Sequence, residues 1–501
     1  MNPRTRLVRY LDSLGGTPPD SGAAAYYASL DMVESVSPGI ARSIANELRD
    51  QRSNVKLIAS ENYSSLAVQL AAGNLLTDKY AEGYPGHRFY AGCDNIDTIE
   101  SEACELAQSL FGADHAYVQP HSGADANLTA LLSILYDRVR GPFFESLGAK
   151  KPEEISRADW QRLSADMTRQ KLLGLDYYSG GHLTHGYRFN AISHLFNVYS
   201  YTVDPETFLL DYDEIRRQAL EIRPLVLLAG YSAYSRAIDF SRFREIADEI
   251  GAVLWVDMAH FAGLVAGGVF AGVHDPVAYA DIVTTTTHKT LRGPRGGMVL
   301  CRAPFAEAVD KGCPTILGGP IPQAMAAKAV ALREASRPEF RDYAHRIVEN
   351  ARSLAEESMR LGLPVLTGGT DNHLLLIDVA SSFGLTGRHA ESALRSCGIT
   401  LNRNAIPFDK NGPWFTSGLR LGTPAVTTLG MGAAEMREIA EVVHDVLAAT
   451  RPATDAETGK TSKSKAITDP VVAERSRARL SDLLARHPLY PEIDLDILDN
   501  G

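Results

Sequence analysis

Between residues 224 and 301 the chain carries four runs of nearly unbroken apolar and β-branched residues, at 224–230, 252–257, 281–285 and 297–301. Runs of that length without polar alternation read as strands buried on both faces. The segment 241–250 between the first two spaces its apolar residues three and four apart, as an amphipathic helix does. Strand, helix and strand in succession predict βαβ units, hence an α/β protein with a largely parallel sheet and its site at the strand ends. Helical spacing recurs at 37–51, where Pro38 suits a first turn, at 95–110, at 128–136 and over one long helix at 322–357. Further strands are expected at 115–118 and 373–378.

Three stretches carry weaker patterns. Residues 1–30 hold a Gly-Gly-Thr-Pro-Pro turn and a run of small residues, with little structural signal. Residues 138–171 are charged and helix-prone and read as a surface insertion. Residues 452–465 read as a polar linker, followed by a helix and an acidic end. The expected organisation is an N-terminal arm (1–55), a large domain (56–330), a small α+β domain (331–450) and a linker with a C-terminal tail (451–501).

Composition narrows the class. A chain of 501 residues with 45% apolar and 22% charged residues is an ordinary globular protein large enough for two or three domains. A net charge of −11 without a basic block argues against nucleic acid as a partner. The five cysteines (93, 104, 301, 313 and 397) are scattered without a C-x-x-C pair, which fits a reducing cytoplasm and offers no zinc or disulfide framework. The most apolar window, 251–273, is interrupted by Asp257 and His260, so it reads as strand plus loop and not as a membrane span. The first thirty residues lack the apolar core of a signal peptide.

The chemistry concentrates where the third apolar run breaks into glycines. Asp281-Ile-Val-Thr-Thr-Thr-Thr-His-Lys-Thr-Leu-Arg-Gly-Pro-Arg-Gly-Gly-Met298 places Lys289 at the strand end, between His288 and Thr290. A lysine after a strand is ordinarily a solvated surface residue. Here four threonines in a row, a histidine, a fifth threonine and three glycines surround it, as a Schiff-base lysine in a desolvated pocket would require. Asp257 closes the preceding strand. Read alone it caps a helix as readily as it serves a site. Paired with Lys289 it is the anion that keeps a pyridine nitrogen protonated, which makes a pyridoxal ring an electron sink. The loop Pro120-His-Ser-Gly-Ala-Asp-Ala-Asn127 opens a helix and offers free N–H groups to an anion. His182 and His185 stand three apart, but without a third ligand of suitable spacing no metal is expected.

These blocks resemble serine hydroxymethyltransferases. The resemblance rests on Thr-Thr-Thr-Thr-His-Lys-Thr around Lys289, Leu57-Ile-Ala-Ser-Glu-Asn-Tyr63, Lys79-Tyr-Ala-Glu-Gly-Tyr-Pro-Gly86 and Val118-Gln-Pro-His-Ser-Gly123. It continues through Gly180-Gly-His-Leu-Thr-His-Gly186, Tyr231-Ser-Ala-Tyr-Ser235 and Ser417-Gly-Leu-Arg-Leu-Gly-Thr-Pro-Ala425, in family order from about residue 56 to 430. It implies the aspartate-aminotransferase-like pyridoxal phosphate fold, a mainly parallel seven-stranded sheet with a smaller C-terminal domain. It also implies a homodimer or tetramer whose sites are shared between subunits.

Residue by residue, the resemblance makes Lys289 the cofactor lysine, Asp257 the partner of the ring nitrogen and His182 a residue stacked on the ring. His260 lies close to cofactor and substrate, and Ser232 near the cofactor 3-hydroxyl. Ser122, Gly123, Thr286 and His288 belong to the cofactor site. Ala124 stands where many members carry a serine. Tyr80 and Gly319 reach the phosphate of the neighbouring subunit, although Cys313-Pro-Thr-Ile-Leu317 before Gly319 departs from the family's glycine and glutamine. Glu82 is the acid/base glutamate, Tyr90 and Ser60 face the substrate, and Arg420 grips its carboxylate. Leu183 and Asn404 contact the folate.

The implied reaction is reversible transfer of the serine hydroxymethyl carbon to tetrahydrofolate, giving glycine and 5,10-methylenetetrahydrofolate. A folate-independent aldolase of the threonine aldolase type is the alternative, and slow alanine racemisation a conceivable side activity. A scaffold without activity is disfavoured by Lys289, Asp257 and Arg420 standing together.

Overall fold

The computed structural model describes residues 5–454 and 459–499. Seven strands form the central sheet: β1 (His115–Tyr117), β2 (Lys171–Leu175), β3 (Asn197–Tyr201), β4 (Val226–Gly230), β5 (Val253–Asp257), β6 (Ile282–Thr286) and β7 (Gly297–Cys301). Their order across the sheet is β1-β7-β6-β5-β4-β2-β3. Strands β2 to β6 pair in parallel, and β7 alone runs antiparallel to both of its neighbours. The middle strands β4, β5, β6 and β7 are buried along their whole length. That is why they read as apolar runs and not as alternating patterns. Their register sets Gly230 opposite Asp257, and Asp257 opposite Thr284. Gly230 has φ +121°, and a Cβ there would meet the Asp257 carbonyl oxygen at 2.1 Å. Only glycine lets the two strands close beneath the aspartate.

Helices cover both faces of the sheet. The N-terminal helices are α1 (Arg6–Ser13), α2 (Ser21–Val36) and α3 (Pro38–Ser53). Then follow α4 (Asp94–Phe111), α5 (Gly123–Leu135), α6 (Phe240–Ile250), α7 (Pro322–Ala335) and α8 (Pro338–Arg360). A three-stranded antiparallel sheet of β8 (Leu374–Asp378), β9 (Asn402–Asn404) and β10 (Gly418–Gly422), in the order β8-β10-β9, carries a second core. Among the described residues no helix is long and apolar enough to cross a membrane.

Four expectations are corrected. The N-terminal stretch is largely helical among the described residues, at Arg6–Ser13 and from Ser21 onward: Thr5 and Asp20 cap α1 and α2 through their side chains. The apolar faces of these helices pack against Leu489, Ile493 and Ile497 of the C-terminal tail, a contact too distant in sequence to read locally. The single helix expected at 322–357 is two, because Arg337 precedes Pro338 and takes extended geometry. The linker expected at 452–465 is largely a hairpin of β11 (Thr450–Thr454) and β12 (Thr461–Thr468); residues 455–458 of that stretch lie outside the described residues. Finally, the insertion expected at 138–171 includes Lys171, which is the first residue of β2 in the central sheet.

Candidate active site

A cleft of about 690 Å³ opens at the carboxyl ends of β4, β5 and β6 and is closed on its far side by β9 and β10. The topology explains the location, since ends of parallel strands present side chains and helix N-termini toward one crevice. Lys289 lines it three residues beyond β6, only 9% exposed. The turn is fixed by its own hydroxyls and by a distant amide. Thr290 donates to the His260 carbonyl at 2.9 Å and accepts from Gly263 N–H at 2.9 Å, while Asn62 donates to the Lys289 carbonyl at 2.9 Å. Burial pushes the Lys289 ammonium down to about 8; Asp257 opposes the shift, and Arg420 and Arg295 add to it. A substantial fraction of neutral amine is therefore present near pH 8, the nucleophilic form. Labelling of Lys289 by trinitrobenzenesulfonate, followed by mass spectrometry, is expected to rise with pH and level off above about 8. An ordinary lysine keeps gaining reactivity to beyond about pH 10.

Asp257 is buried at the end of β5 among donors. Its Oδ2 accepts from Asn127 Nδ2 at 2.9 Å and lies 3.0 Å from His185 Nε2, and its Oδ1 accepts from Ala259 N–H at 3.0 Å. Burial raises the carboxyl, but the hydrogen bonds from His185 and Asn127 outweigh it and hold Asp257 below the usual carboxylate range. Asn127 also donates to Thr184 Oγ1 at 2.7 Å; the Thr184 hydroxyl lies 2.7 Å from His182 Nδ1, which also accepts the Thr184 N–H at 3.3 Å. His182 Nδ1 is therefore an acceptor, and burial pushes the ring down to about 4, leaving it neutral. His182, His185 and Asp257 bring three ligand atoms within 4.8 Å, so Asp257 is the third neighbour that spacing alone did not reveal. Those atoms are engaged in the hydrogen-bond chain just described.

At the anion turn, Ser122 caps α5 by accepting from Asp125 N–H at 3.1 Å. Gly123 and Ala124 occupy the first helical positions, where N–H groups have no intrahelical acceptor. A Cβ on Gly123 would lie 2.6 Å from Thr286 Cγ2, so glycine permits the turn to seat on β6. Across the cleft Arg420, on β10, donates from Nη1 to the Ser232 carbonyl at 2.7 Å and from Nε to Asn402 Oδ1 at 3.2 Å. Neither partner is anionic, and the remaining guanidinium donors have no partner among the described residues. His260 is buried beside His373, with ring nitrogens 3.2 Å apart, and burial with the charge of Lys289 holds it well below its ordinary value.

Ser60, Ser122, Gly123, His182, Leu183, Ser232, Asp257, His260, Thr286, His288, Lys289, Asn404 and Arg420 thus line one cleft. Tyr80, Glu82, Tyr90 and Gly319 do not line it in this chain. Tyr80 and Tyr90 pack edge to face at 4.8 Å and are about half exposed, and a Cβ on Gly319 would fall 3.1 Å from the Tyr80 ring. Arg88 holds their loop by donating to the Ala81 and Gly83 carbonyls and to Asp97. Sequence reasoning passed over Asn62, Asn127, Arg295 and His373. Asn62 lies in the quoted Leu57–Tyr63 block and Asn127 closes the anion loop, so a signal for both was present.

The residues fit pyridoxal phosphate. A buried lysine of lowered proton affinity shares the cleft with a carboxylate held ionised, a glycine-seated helix start can take the phosphate, and the buried His288 Nδ1 has no partner among the described residues. Sheet order and chemistry together place the chain among pyridoxal phosphate-dependent enzymes of the aspartate-aminotransferase-like fold. Comparison with known proteins is specific. The family model "Serine hydroxymethyltransferase" matches residues 33–141 and 151–443. A serine hydroxymethyltransferase of Treponema pallidum is 59% identical over 97% of this chain and 85% of the relative. One of Salinispora tropica is 56% identical over 94% and 98%, and one of Chlamydia trachomatis 54% identical over 98% and 99%. The chain belongs to the serine hydroxymethyltransferase family.

Proposed function

We infer that this enzyme transfers the hydroxymethyl carbon of serine to tetrahydrofolate, giving glycine, 5,10-methylenetetrahydrofolate and water, reversibly. The observation that carries the reading is the convergence of Lys289, Asp257 and Arg420 on one cleft in a chain of this family. When bound, pyridoxal phosphate supplies an electron sink for the pair left on the substrate α-carbon.

The chain's own residues do the rest. Lys289 would hold pyridoxal phosphate through its amine, which burial leaves substantially neutral near pH 8. Asp257, kept ionised by its three donors, holds the proton on the ring nitrogen. Neutral His182 covers the ring, and the turn at Ser122 and Gly123 takes the phosphate, with Thr286 and His288 beside it. Arg420 would bind the substrate carboxylate in a forked pair and so orient the substrate's α-carbon within the cleft. Ser60, Ser232 and His260 contact substrate and cofactor, and Leu183 and Asn404 hold the folate. Rates of serine cleavage at rising tetrahydrofolate test the reading. They saturate with folate and fall to a trace without it; folate-independent cleavage at the full rate would reject it.

The working unit is a homodimer, possessing two shared sites, in the cytoplasm; two dimers can associate as a tetramer. Glu82, Tyr80, Tyr90 and Gly319 serve the partner's cleft, with Glu82 managing the hydroxyl proton; their position outside this chain's own cleft supports that reading. The arm at 1–55, the large domain at 56–330 and the small domain at 331–450 are the units of that assembly. Mixing inactive K289A and E82A chains after exchange of subunits is expected to restore about a quarter of wild-type activity, because half of the dimers then hold one intact site. No recovery would mean that Glu82 acts within its own chain.

A further inference from the structure

Lys328 lies on α7 and is 2% exposed, yet it forms no ion pair among the described residues. Its ammonium instead donates to three backbone carbonyls: Val118 at 2.6 Å, Pro120 at 2.9 Å and Gly297 at 2.9 Å. Taking an ammonium out of water is unfavourable, and burial pushes Lys328 down to about 7 against the pull of Glu100. A methionine would fill much the same space without that penalty, so the charge has a local consequence to explain.

The three carbonyls belong to the two segments that build the anion turn. Residues 118–120 lead directly into Ser122 and Gly123. Gly297 begins β7, donates its N–H to the Pro120 carbonyl at 2.9 Å and pairs with Thr286. The packing is tight on every side. A Cβ on Gly297 would lie 2.1 Å from the Ser122 carbonyl oxygen, and one on Gly296 2.5 Å from Lys328 Cε. In a trans peptide the C=O and N–H point in opposite directions. The Pro120 carbonyl held on Lys328 therefore turns the His121 N–H away from the lysine, toward the turn.

We propose that Lys328 is a positioning residue for the phosphate site: it gathers the carbonyls of Val118, Pro120 and Gly297 behind the turn, so that the turn offers the anion amide hydrogens and not carbonyl oxygens. The proposal rests on reading Ser122 and Gly123 as the phosphate cradle. Lys328 touches neither the cleft nor any group assigned to the reaction.

The test is equilibrium binding to the full-length apoenzyme, comparing pyridoxal phosphate with pyridoxal, which lacks the anion. Wild type binds pyridoxal phosphate far more tightly; equal affinities there would refute the cradle reading itself. In K328M the Kd for pyridoxal phosphate is expected to rise at least about tenfold while that for pyridoxal stays within about twofold. The phosphorus resonance of the bound cofactor is expected to shift. Equal weakening of both ligands, or no change in either, would overturn the proposal. If K328M does not fold, K328Q, which keeps a donor without the charge, carries the same comparison. Failure of both to fold would assign Lys328 a purely structural role and overturn the proposal as well.

Discussion

Replacing Asp257 by asparagine is expected to lower kcat/KM by about 10²–10³-fold, the range seen when a preorganised electrostatic partner is lost. The substitution is nearly isosteric, so the loss comes from charge and from hydrogen-bond polarity. Three donors converge on the carboxylate, from Asn127, Ala259 and the His185 side. An amide can accept with only one of its two terminal atoms, so either orientation sets an NH₂ against a donor. The ring nitrogen also loses the anion that keeps it protonated. Steady-state kinetics with a melting curve measure the effect. A tenfold loss or less in a folded D257N would show that the carboxylate is not the partner of the ring.

The second large effect belongs to Arg420. R420A is expected to raise KM for serine by about 10²–10³-fold, as the loss of two charge-assisted hydrogen bonds in a desolvated site would. KM for tetrahydrofolate is expected to change little. R420K keeps a charge but not the fork, and a loss of roughly tenfold or more is expected to persist. Arg420 is already committed to Ser232 and Asn402 through Nη1 and Nε, so its orientation does not depend on substrate. A rise confined to the folate KM would move Arg420 from the amino acid to the cosubstrate.

The sheet and its lysine were legible in the sequence because burial on both faces writes strands β4 to β7 as apolar runs. The glycines after Lys289 mark where the last parallel strand ends. Of the thirteen proposed site residues that line one cleft, ten lie in the quoted motifs and three, Asp257, His260 and Asn404, lie outside them. What remained unread depends on contacts between distant segments. Lys328 sits in a helix where a lone polar residue gives no local sign of the carbonyls it will meet. Helices α1 and α2 complete their burial only against a tail more than 450 residues away in the chain. The break between α7 and α8 is different: Pro338 announced it, and the continuous apolar periodicity across it was given too much weight. Tyr80, Glu82, Tyr90 and Gly319 do not line this chain's own cleft.

If one cleft couples cleavage of serine to capture of its carbon by folate, serine labelled with ¹³C at the hydroxymethyl position will report it when incubated with the holoenzyme with and without tetrahydrofolate and followed by NMR. The label is expected in 5,10-methylenetetrahydrofolate, with one glycine formed for each carbon transferred, and almost none is expected to leave serine when folate is absent. Label released as free formaldehyde at the same rate with or without folate would contradict it and make the enzyme an aldolase.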